Sequence, residues 1–209
     1  MILTVAVLAG LLAGLARAWF GGRHPQVPQL RFVGLVVIAF IPQWLAFHLP
    51  ATSAVIPDWG AALCLTFSQA ILLLFAWVNR SHAGGVFLLL GLALNFLVIV
   101  ANGGLMPISP EAVYHLAPRP PETWEIGSRL WGGKDIVLPL HATRLRWLSD
   151  YFLTPRWFPL QIAFSLGDLF ISGGAFWLLW SVGRAAPAAS SVAAGTGLES
   201  KMEAGRVGL

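Results

Sequence analysis

Apolar residues in this chain gather into five runs of about twenty, separated by polar connections, and runs of that length restrict the fold more than any other feature. A hydrocarbon core about 30 Å thick needs roughly 20 helical residues, at about 1.5 Å each, to cross it. The runs cover residues 2–20, 32–50, 59–78, 85–101 and 158–181. Lipid offers no partner to an open backbone group, and the runs lack the alternation of barrel strands, so each reads as a helix. The expected fold is an all-α integral membrane protein: a bundle of about five transmembrane helices within residues 1–182. Residues 102–157 form a long, partly helical extracytoplasmic cap before the last helix, and residues 183–209 a flexible cytoplasmic tail rich in Ala, Gly and Ser.

Composition excludes several classes. Only 11% of the residues are charged and 57% are hydrophobic, against roughly 25% charged in a soluble domain, so a water-soluble enzyme is ruled out. The net charge of +4 is spread along the chain without a basic block, which argues against nucleic acid and leaves the lipid bilayer as the expected partner. A single cysteine, Cys64, gives no disulfide framework and no cysteine-based metal site. The histidines show no HxxxH or HExxH spacing, and no Ser-His-Asp arrangement emerges. The sequence therefore offers no catalytic, cofactor-binding or metal-binding residues.

Orientation follows the basic residues. The first connection holds Arg23 and Arg31, with Arg17 just inside the helix end, and Arg80 lies in the third, whereas the second has only Asp58. This distribution puts the N-terminus outside and the C-terminus, with Arg184, Lys201 and Arg206, in the cytoplasm. Ala16–Ala18 resembles a cleavage site, but no positive charge precedes the apolar run, so the first segment reads as a retained anchor. That segment carries Ala6, Gly10, Gly14 and Ala18 in line. Such a stripe lets helices approach closely, either within the chain or between copies, and the Gly10/Gly14 face is an expected route to a homo-oligomer. Trp19, Trp59, Trp77, Trp157 and Trp180 fall near span ends, where indole rings suit the headgroup layer.

Chemistry concentrates near the last segment. Gln161, Ser165, Asp168 and Ser172 fall on one helical face if the helix runs from residue 158. A carboxylate inside a span costs about 2.5 to 3.5 kcal/mol, so Asp168 needs a partner or a proton. No Lys or Arg is expected at that depth. The neutral candidates are Asn95, Ser68, Gln69 and Gln43. Asn95 and Asn102 share a face of the fourth segment with Gly91 and Val98, and the two polar faces are expected to meet. In the cap, Ser109-Pro110-Glu111 has the pattern of a helix start, and Leu145, Leu148 and Phe152 suggest a second helix within 141–152.

Three stretches read together: Asn102-Gly103-Gly104-Leu105-Met106-Pro107, then Thr143-Arg144-Leu145 with Asp150, then Ser165-Leu166-Gly167-Asp168. In combination they resemble the bacterial membrane-protein family called domain of unknown function 5317. The resemblance implies a small helical protein of the bacterial plasma membrane and no defined activity. It selects Asn102, Gly103, Gly104, Arg144, Asp150, Ser165 and Asp168, beside Asn95, as the candidate polar cluster. Two glycines after a helix suit a left-handed turn, and Arg144 and Asp150 are expected to pair and dock the cap on it. The expected function is a non-catalytic accessory, scaffold or assembly component with membrane-protein partner subunits. The alternative is a small proton-linked transporter or ligand-binding protein using Asp168 and Asn95.

Overall fold

The computed structural model describes residues 2–22, 24–25, 27–117 and 124–183, so the predicted tail lies, beyond Gly183, outside the described residues. The described chain is mostly helical. Its principal helices are α1 (Ile2–Phe20), α2 (Gly34–Phe47), α4 (Asp58–Val78), α5 (Gly85–Ala101) and α7 (Leu166–Trp180), with short helices α3 (Pro50–Ser53) and α6 (Pro110–Leu116) between them. Three segments are long and apolar enough to cross a membrane: α1, α4, and α7 with the turn that follows it to Gly183. The apolar helices α2 and α5 are shorter. This is the build of a multi-pass membrane protein.

The bundle is an open arc. α1 packs along α7, α7 along α5, α5 along α4, and α4 along α2. Small residues make the close approaches, as expected where lipid supplies no hydrophobic drive between helices. A β-carbon added at Gly91 on α5 would lie 2.6 Å from the Gly167 carbonyl oxygen of α7, so that seam closes only on glycine. Gly10 and Gly14 meet the α7 backbone at Phe176 and Leu179 in the same way. The Gly10/Gly14 face is therefore filled from within the chain, which corrects its assignment as an oligomer interface. Polar bonds fix the α2 side: Ser68 Oγ donates to the Ala39 carbonyl at 2.6 Å, and Asn79 exchanges two bonds with the Arg31 backbone.

The cap grows from the end of α5. Gly104 has φ +92 and lies where a β-carbon would be 2.8 Å from that of Ala62 on α4, while Gly103, also at positive φ, has open space around it. This turn presses strand β1 (Met106–Ile108) onto the bundle, where all three residues are buried. β1 pairs in parallel with β2 (Asp135–Val137), Met106 opposite Asp135. A small second core gathers Ile108, Val113, Leu130 and Val137 under α6. The N-cap of α6 is Ser109, whose hydroxyl accepts from Ala112 N, as its sequence pattern predicts. Arg129 clips this layer to α4, with Nε 2.6 Å from Asp58 Oδ1 and Nη2 donating to the Ile56 carbonyl.

Two expected helices differ. The only helical structure within residues 141–152 is a 3-10 turn at Arg146–Leu148, because Leu145 takes φ +53 and interrupts the helical path. The last helix begins at Leu166 and not near 158. Before it, β3 (Phe152–Leu153) pairs antiparallel with β4 (Ala163–Phe164), and Gln161 donates to the Phe158 carbonyl at 2.7 Å. Gln161 is thus in a loop and shares no helical face with Asp168.

Candidate functional site

Asp168 is an N-terminal residue of its helix. Ser165 caps α7: its hydroxyl accepts from Asp168 N at 3.0 Å, and Asp168 Oδ2 accepts from Ser165 N at 3.1 Å. The late start of α7 nevertheless leaves this capping box inside the bundle, against α5. Asn95 lies six residues before the end of α5, roughly 9 Å along the axis at about 1.5 Å per residue. Asn95 Nδ2 donates to Asp168 Oδ1 at 2.9 Å, and Ser165 Oγ donates to Asn95 Oδ1 at 2.8 Å. One amide thus bridges both halves of the cap, using a donor and an acceptor that fix its orientation. The expected meeting of Asn95 with Ser165 and Asp168 is present, although the carboxylate reaches it from a helix end. Ser172 is buried one turn further on, and its hydroxyl has no partner among the described residues.

Asn102 does not join this group. It ends α5, donating to the Val98 carbonyl at 2.8 Å and to the Arg144 carbonyl at 2.9 Å, while its Oδ1 accepts from Arg144 N. Asn102 and Arg144 therefore tie the cap to the Gly103-Gly104 turn through Arg144's backbone. The expected Arg144–Asp150 ion pair is absent. Asp150 is buried and pairs with Lys134, Nζ to Oδ2 at 3.1 Å, while Lys134 also holds Asp135 at 2.6 Å. Arg144 instead turns its guanidinium toward the Ala101 carbonyl.

Lys134 is the residue that sequence reasoning missed, and it corrects the expectation that no basic group approaches Asp168. Met106 N donates to the Lys134 carbonyl, so the strand pairing delivers this lysine to the bundle. Its side chain is 47% exposed and lines a cavity of about 470 Å³ whose walls include residues of α1, α2, α4, α5 and α7. Gln43, Gln69, Asn95 and Asp168 are the other polar residues on its wall. Gln69 Oε1 is buried there without a partner among the described residues. Partial loss of hydration opposes the charge on Lys134, but the carboxylates of Asp135 and Asp150, and more weakly that of Asp168, raise its pKa. Burial pushes Asp150 up to about 7, while Lys134 pulls in the opposite direction. No spacing rule marks a lone lysine in a long connection. The only available signal was the β-branched Ile136-Val137 pair after it, which suits a strand.

Among the described residues no group of three or more His, Cys, Asp or Glu is placed to hold a metal ion. The cavity instead offers hydrogen-bonding groups at one end of an apolar chamber, the usual composition of a small-molecule site. The sequence model of a family of unknown function, DUF5317, matches residues 28–180. The chain belongs to this DUF5317 family. The match includes every polar cavity residue and leaves α1, which contributes Leu3 and Val7 to the wall, outside it. No curated protein and no solved structure gives a significant match.

Proposed function

We propose that this DUF5317 member is a non-catalytic, multi-pass protein of the bacterial plasma membrane whose working part is a ligand-binding cavity on the Asn95–Asp168 pair. In this reading five helices cross the bilayer with the N-terminus outside, and the connection of residues 102–157 caps the outer face. The observation that carries it is the hydrogen-bonded Asn95–Ser165–Asp168 group on the wall of a chamber of about 470 Å³. A seam that needed only adhesion has no use for a chamber beside it. Non-helical backbone at membrane depth, such as the approach to Ser165, is tolerated where it is buried or lines a cavity. The acid's two oxygens already accept bonds from Asn95 and Ser165, which suits a fixed binding surface better than a proton-transferring catalyst.

The scaffold or accessory role is compatible with this reading, since a ligand-loaded subunit also serves a larger complex. A proton-linked carrier is the second reading, favoured by Asp150, which burial pushes up to about 7 and which pairs with Lys134, itself a residue of the cavity wall. Gentle purification followed by mass spectrometry of every bound protein and small molecule tests the primary reading. A stoichiometric small molecule, lost in Asp168→Asn while the protein stays folded, is the expected result. An empty wild-type cavity with full occupancy by partner chains would leave only the scaffold role.

A further inference from the structure

The cavity has a side that no helix closes. Leu3 and Val7 on α1 and Val36 and Gln43 on α2 line it, yet α1 and α2, the two ends of the arc, do not pack along each other among the described residues. Both helices turn apolar residues outward, with Leu12 66% and Val37 61% exposed, so the opening faces acyl chains and not water. Beyond it the wall is apolar, including Leu72, Leu88 and Ile171. A molecule entering there must carry an apolar chain to match the slot.

The polar end of the chamber selects the head. Lys134 is the basic group there, and Asp135 and Asp150 already hold it. Asp168 adds a further carboxylate, and Gln69 Oε1 is an acceptor without a partner among the described residues. Acceptors and negative charge therefore exceed what one ammonium neutralises. Such surroundings attract a cationic donor and oppose a phosphate, since like charges brought together away from water are penalised. The volume of about 470 Å³ falls in the range of small-molecule sites, about 300 to 1,000 Å³.

We propose that the cavity takes a single-chain, amine-headed amphiphile from the bilayer through the opening between α1 and α2, with its ammonium beside Asp168 and Gln69. This rests on the ligand-binding reading above and adds the route and the chemical class. The full-length protein in phosphatidylcholine nanodiscs is titrated with dodecylamine, dodecanol and dodecyl phosphate at pH 7, correcting for partition into empty nanodiscs. Dodecylamine is expected to bind at least about tenfold more tightly than the other two, about 1.4 kcal/mol. Asp168→Asn removes that preference and leaves dodecanol unchanged. Gln69→Leu, which does not touch the α7 cap, weakens the amine about threefold, and Val36→Trp in the opening blocks all three. Equal binding of amine and phosphate, or indifference to Val36→Trp, overturns the proposal. If a water-soluble molecule copurifies, is lost in Asp168→Asn and survives in Val36→Trp, the binding cavity stands and the lateral entrance falls. If neither a copurified molecule nor any of the three probes binds, both readings fall.

Discussion

The α5–α7 seam and the α1–α2 opening belong to one bundle of similarly apolar helices, yet one is locked and the other unsealed. At the seam, Gly91 and Gly167 bring two backbones together, and Asn95 then bonds both Ser165 and Asp168. At the opening, α1 and α2 carry Leu, Val, Ile and Phe side chains toward lipid. Hydrophobicity does not distinguish them, because in a bilayer a leucine is as well accommodated by lipid as by another helix. Small residues and paired polar groups decide which helices join, and their absence between α1 and α2 leaves room for an entrance.

The comparison breaks most visibly at Gly91. Gly91→Leu forces a side chain into the Gly167 carbonyl and the Ile171 backbone, both 2.6 Å from the added β-carbon. We expect a loss of about 3 kcal/mol or more, seen as failure to recover folded protein or a large drop in thermal midpoint in detergent. Asn95→Ala removes both interhelical bonds, leaving the Ser165 hydroxyl without its acceptor and Asp168 Oδ1 without its donor, for an expected loss of about 1 to 3 kcal/mol, measured by the same unfolding assay.

The cap differs from the seam in its response to pH. An acid whose folded pKa is raised contributes stability that is present below its unfolded pKa and lost as pH rises through the folded one. Asp150 moves from 3.8 to about 7, so its contribution should fade between about pH 4 and pH 7. Asp150→Asn should flatten that part of the stability profile, measured by thermal unfolding across the range. An unchanged slope would place its cause elsewhere. The smallest effect belongs to the open side: Leu8→Ala, at a residue 56% exposed on α1, should change stability by no more than about 0.5 kcal/mol. A loss comparable to that of Asn95→Ala would mean that another surface covers α1.

The helical bundle was legible because it rests on run length and composition, which one sequence carries in full. Spans ending near residues 20, 78 and 101 follow from where the apolar runs stop, and α1, α4 and α5 end there. The pairing of Asn95 with Ser165 and Asp168 was legible too, since a polar side chain among apolar helices must find another. The start of the last helix was misplaced by about eight residues because Phe158, Leu160, Ile162 and Phe164 are as apolar as a helix. Ser165 with Asp168 three residues later, the pattern of a helix cap, was the available correction. Lys134 was hidden for a different reason. Its position depends on β1 and β2, segments of three residues separated by more than twenty-five in sequence, and non-local pairing of that kind leaves no local trace. The same holds for Asp150, which found Lys134 and not the nearer Arg144.

The bridge made by Asn95 is the centre of this account, and a double-mutant cycle measures it directly. Unfolding free energies of the wild type, Asn95→Ala, Asp168→Ala and the double variant, all in one detergent, give the coupling between the two side chains. A coupling of about 0.6 to 2 kcal/mol is expected for residues bonded across a membrane seam. Strictly additive losses would mean that Asn95 and Asp168 do not touch, and that the cavity wall is not built as described.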